Sequence, residues 1–234
     1  MRRLFKKIGR TKLLAFIGIA AVLGVFLFVM LSGGGSKTLH ERAMANIAEA
    51  RFYMMQAQTE DLRVQFFSGI REQNYQMDGV ADTSTVPFAL INVEPRGINL
   101  IDIQEITGTI QIGDAEPVEI TLERNQFGRN FGYDLGKLVE AGTEIVFTFD
   151  EHPFELAQAM PTDAITWEKA LGIGVEHFKS ELTAEGVASF ESYVKIITDR
   201  ESLAAFWFVQ FVTNTGNNHF IVINIDGQLI QGRQ

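Results

Sequence analysis

Four histidines and no cysteine limit the chemistry that these 234 residues can offer. His40, His152, His177 and His219 stand singly, and two of them follow a glutamate directly, as Glu151-His152 and Glu176-His177. Carboxylates beside imidazoles are the raw material of general acid–base catalysis and of divalent-metal sites. Neighbouring side chains on a strand or helix point in different directions, so neither dipeptide is a site by itself, and a joint site needs folding to bring them together. Solvated surface charge is the simpler reading of all four residues. The absence of cysteine removes thiol nucleophiles, thiolate zinc sites, iron–sulfur ligation and disulfides in one step. There is no G-x-S-x-G, H-E-x-x-H, P-loop, dinucleotide or EF-hand pattern, and Gly172-Ile173-Gly174 lacks the third glycine and the preceding strand of a dinucleotide fingerprint. Asp78 and Asp82, with hydroxyls nearby, lack the regular oxygen spacing of a calcium loop. No catalytic residue, cofactor or metal ligand is assigned, and the chain reads as a non-enzyme.

Charge is divided sharply along the chain. Arg2, Arg3, Lys6, Lys7, Arg10 and Lys12 put six positive charges and no acid in the first twelve residues. Fourteen of the twenty basic residues then face all twenty-nine acidic ones, a formal charge of −15. A body that acidic repels nucleic acid and anionic lipid headgroups, so proteins, cations or neutral molecules are its expected partners and nucleic acid is not.

Between the two charge regimes, Leu13–Leu31 carries nothing charged and nothing polar beyond glycine. Nineteen helical residues at about 1.5 Å each come close to the roughly 30 Å hydrocarbon thickness of a bilayer. The stretch is longer and richer in Phe and Leu than the core of a cleaved signal peptide, although Ser32-Gly33-Gly34 resembles a cleavable run. An uncleaved anchor is therefore expected, flanked by Arg2, Arg3, Lys6 and Lys7. Only Lys37 and Arg42 follow soon after it, so the positive-inside rule places residues 1–12 in the cytoplasm. The main domain then lies in the periplasm of a bacterial inner membrane, or in the intermembrane space if the membrane is mitochondrial. Residues 32–37, with three consecutive glycines, read as a flexible linker.

Residues 38–77 read as a membrane-proximal amphipathic helix with no proline and one glycine. Ala43, Ile47, Ala50, Met54 and Ala57 recur at spacings of 4, 3, 4 and 3 on one stripe. A stripe of small residues can seat a partner helix or a second copy. It can equally pack on the chain's own domain, which the shortness of the run favours. Residues 78–234 read as an extracytoplasmic domain: short β-type runs from Pro87 to Asp150, two helices beginning at Trp167 and Val187, and a C-terminal β-meander from Phe206. The glycine-rich segment Asn125–Gly136 carries Phe127, Phe131 and Tyr133, either as exposed contacts or as a tucked-in cluster.

The expected fold class is thus α+β: a transmembrane helix, an amphipathic helix, then a mostly antiparallel sheet with two or more packed helices. That plan implies no particular function. The reading it best accommodates is a bitopic, non-enzymatic interaction, assembly or accessory subunit of a membrane protein complex. Its partners would be membrane or extracytoplasmic proteins, or itself. The alternative is a membrane-tethered domain that binds or senses a small molecule or cation between its sheet and the Trp167 helix.

Overall fold

The computed structural model describes residues 37–74, 76–82, 84–96, 104–126 and 128–233. The expected transmembrane segment Leu13–Leu31, its flank Arg2, Arg3, Lys6 and Lys7, and Phe127 lie outside the described residues. Among the described residues no helix is long and apolar enough to cross a membrane.

The α+β expectation is overturned, because the described chain is mostly one large sheet. The helix expected over 38–77 is α1 (Leu39–Ala45) alone, and the chain continues as β1 (Ile47–Gln58) and β2 (Leu62–Glu72). The reason is tertiary. Ala50 and Met54 face one core while Tyr53 and Met55 face another, so β1 is apolar at both parities. A strand buried on both faces has no clean period of two, and alanine and methionine then imitate a helical stripe. The same holds for Val187–Ile197, expected as a helix but found as β10 (Phe190–Thr198), whose faces are both covered.

Between these come β3 (Thr85–Pro95), β4 (Glu105–Ile112), β5 (Val118–Arg124), β6 (Phe131–Asp134), β7 (Ile145–Phe149), β8 (His152–Glu155), β9 (Ala157–Gln158), α2 (Trp167–His177) and α3 (Lys179–Leu182). After β10 follow β11 (Ala205–Thr213), β12 (Asn218–Ile223) and β13 (Leu229–Arg233). The strand path is β13-β12-β11-β10-β1-β2-β3-β6-β5-β4-β7-β8, and β9, one residue beyond β8, pairs back onto β1 through Met55–Gln158 and Gln56–Ala157. That return closes β1 to β9 into a small barrel of eight positions, β8 and β9 sharing one. Its interior is filled by Phe66, Ile91, Leu122, Phe131, Ile145 and Phe147, as expected for a barrel of this size.

β1 belongs to both halves of the molecule. Its first residues pair in parallel with β10, Ala50 opposite Val194, before β9 takes over that edge. The wing β10–β13 is covered by α1, α2 and α3, with Leu171, Val175, Phe178 and Leu182 against Val209, Phe211 and Ile221. Gly174 permits the approach of α2: a Cβ there would sit 2.6 Å from Val209 Cγ1.

Candidate anion-binding cleft

Side chains alternate across a strand, so β2 residues 63, 65, 67, 69 and 71 share its outer face while Val64 and Phe66 fill the barrel. Their uninterrupted register with β3 sets Arg63 opposite Glu94 and Phe67 opposite Leu90. Where β10 leaves β1, its end and the β10–β11 turn lie against this outer wall. Gln65 Nε2 donates to Thr198 Oγ1 at 3.0 Å, and Gln56 Nε2 to the Leu203 carbonyl at 2.9 Å.

The result is a cleft of about 270 Å³ lined by Gln58, Arg63, Glu94, Arg96, Arg129, Arg200 and Glu201. Four guanidinium groups from β2, the end of β3, the β5–β6 loop and the β10–β11 turn converge there against two carboxylates. The Glu94 carboxylate is taken by Arg200. Arg63, only 4% exposed, has no ion pair with any described carboxylate. Its Nη2 donates to Thr198 Oγ1 and to the Asp199 carbonyl, and its Nε–H has no partner among the described residues. The Gln58 Oε1 beside it is also buried and unpartnered. Burial pushes the Arg63 pKa down, Glu94 opposes that, and Arg200 and Arg96 add to it. A buried cation whose hydrogen bonds are incompletely satisfied is costly, and a bound carboxylate or phosphate would relieve it with paired, charge-assisted bonds.

A second cluster lies on the same outer face. Glu49 accepts from Arg51 Nε at 2.7 Å and from Lys195 Nζ at 2.8 Å, and Arg71 pairs with Asp134 at 2.5 Å. The Arg51 guanidinium lies 4.3 Å from the Phe67 ring centroid and that of Arg71 5.2 Å from Phe88. Glu49, Arg51, Arg71, Phe88, Leu90 and Lys195 line a hollow of about 280 Å³.

The residues singled out by sequence go elsewhere. Ala43 is the buried residue of α1 itself, Ile47, Ala50 and Met54 lie in the same core on β1, and Ala57 packs against the barrel core. Phe131 fills the barrel interior, whereas Tyr133 on the same strand is 36% exposed. Trp167 rests on Phe52, ring centroids 5.6 Å apart, and Trp207 Nε1 donates to the Ile165 carbonyl, so the layer beneath the Trp167 helix is packed. Asp150 and Glu151 form the two-residue β7–β8 turn with φ of 50° and 65°, and His152 Nδ1 lies 2.6 Å from the Asp150 carbonyl. Glu176 pairs with Lys179 at 3.6 Å, and the His177 ring meets Phe178 edge-on. Among the described residues no group of three His, Asp or Glu is arranged to hold a metal ion. The helical reading of residues 38–77 hides Arg63, and Arg96, Arg129 and Arg200 lie in turns and loops with no local pattern that links them. As a strand, Leu62–Glu72 would have aligned Arg63 and Arg71 on one face.

Comparison with protein-family models, curated proteins and solved structures finds no match for this chain.

Proposed function

We propose that the domain from Leu39 onward is a non-enzymatic binding module that captures an anionic group, carboxylate or phosphate, in the arginine cleft. In this reading Leu13–Leu31 tethers it to a membrane, and its partners are other membrane or extracytoplasmic proteins. The observation that carries the reading is Arg63, a buried guanidinium with an unpartnered Nε–H and no ion pair with a described carboxylate, lining a cleft with three further arginines. This keeps the expectation of a binding domain but reverses the sign of its ligand. Local charge decides that sign: within the cleft four cations face two carboxylates, although the body as a whole is strongly acidic.

The test is titration of the full-length chain with inorganic phosphate and with acetate, followed through the arginine side-chain N–H resonances. Saturable shifts that weaken with added salt are expected. The double variant R96Q/R129Q, which removes two exposed arginines, should lower the affinity about tenfold while leaving the melting temperature unchanged. Absence of any saturable shift, or unchanged binding by the variant, would refute the assignment.

A further inference from the structure

The two cation clusters form separate hollows on one outer face, and the same three elements line both in the same order. β2 supplies Arg71 to one and Arg63 to the other; β3 supplies Leu90 and then Glu94; β10 supplies Lys195, and its following turn Arg200. Leu90 and Glu94, the nearest pair of β3 residues in the two linings, are four residues apart, so the hollows approach one another to about 13 Å at roughly 3.3 Å per residue. The floor between them runs from the Phe67–Leu90 pair to the Gln65–Asn92 pair.

From this geometry we infer that the two hollows are subsites of a single groove for an extended acidic peptide segment, carboxylates four residues apart entering one subsite each. The inference rests on the anion-binding reading of the cleft. An extended peptide lying along β3 has the rise of β3 itself, so its side chains i and i+4 reach the subsites that Leu90 and Glu94 mark, whereas i and i+2 fall short. Charge favours a sparse polyanion over a dense one. Across both hollows seven cations face Glu49, Glu94, Asp134 and Glu201, a net of only +3 within an acidic body. A nucleic acid or polyphosphate brings more charge than this groove neutralises and is repelled by the surroundings.

The experiment measures binding of fluorescent, otherwise Gly/Ser peptides to the full-length chain in mild detergent. The peptides carry one glutamate, two at i and i+2, or two at i and i+4. The i,i+4 peptide is expected to bind at least tenfold more tightly than the other two. R71Q should remove that advantage and weaken the one-glutamate peptide by no more than about twofold, the share of one subsite in two, and R96Q/R129Q should weaken all three. Equal affinities for the i,i+2 and i,i+4 peptides would overturn the two-subsite groove while leaving the single anion cleft in place. No binding of any peptide alongside saturable phosphate binding would overturn the peptide assignment alone, and loss of phosphate binding as well would remove both. A preference for polyphosphate or single-stranded DNA over every peptide would also overturn it.

Discussion

At the residue scale, the buried charges fall into two opposite classes. Burial pushes Glu49 up, but Arg51 and Lys195 on either side outweigh it, and the carboxyl is held at about 2. Glu191 and Glu72 are pushed up, first by burial and then by neighbouring acids, Asp78 for Glu191 and Glu191, Asp82 and Asp78 for Glu72. Glu191 Oε2 takes the Gly79 N–H at 3.0 Å and the Tyr193 hydroxyl at 3.0 Å, while its Oε1 is buried and unpartnered. The signs follow from linkage. A depressed carboxylate contributes stability that is present above the ordinary value of 4.5 and lost as pH falls toward 2. A raised carboxylate contributes stability that is present below 4.5 and lost as pH rises through its folded value. Urea melts across pH should therefore show a mildly acidic optimum. E191Q is expected to raise stability at pH 8 and flatten the alkaline limb. E49Q should cost about 3 kcal/mol at neutral pH by leaving Lys195 and Arg51 without their shared carboxylate, and should flatten the acid limb. Unchanged limbs in both variants would contradict the assignment.

At the element scale, β2 is the strand on which barrel and crevice depend. Gly69 lies opposite Arg51 across a β1 bulge, and a Cβ there would fall on the Ala50 carbonyl oxygen. The bulge bends β1 so that it can serve the barrel with one half and the wing with the other. Gly69→Ala should cost about 3 kcal/mol, the upper range for forced overpacking. Gly132→Ala, where the nearest atoms would be 3.7 Å from the new Cβ, should be nearly neutral. Chemical denaturation of the two variants side by side tests this, and equal losses would mean the β1–β2 approach yields freely.

For the whole molecule, the closing seam is the narrowest part of the design. β8 and β9 together span seven residues including Leu156, and beyond them the Ala159 N–H donates to the Met54 carbonyl at 2.9 Å. Ala159→Pro removes that donor. Amide hydrogen exchange should then speed up at β8 and β9 well before β10–β12, and stability should drop by about 1 kcal/mol. Uniform loss of protection would show instead that barrel and wing unfold as one unit.

The sequence by itself determined the division of charge, the apolar stretch Leu13–Leu31, the lack of catalytic motifs, and those strands whose alternation or turns are local. Val118–Arg124 and the turn at Gly113–Pro117 are of this kind, since one face of β5 is solvated and its period of two survives. Tertiary structure alone decided β1 and β10. Each is covered on both faces, so burial erased the period that would have marked a strand, and pairing partners up to 145 residues away overrode local helix propensity. It also decided the site. Arg63, Arg96, Arg129 and Arg200 are scattered over the chain and unremarkable one by one, and net charge points to the opposite ligand. Only β2–β3 register, the β5–β6 loop and the return of the β10–β11 turn bring the four together, so that the local charge is opposite in sign to that of the body.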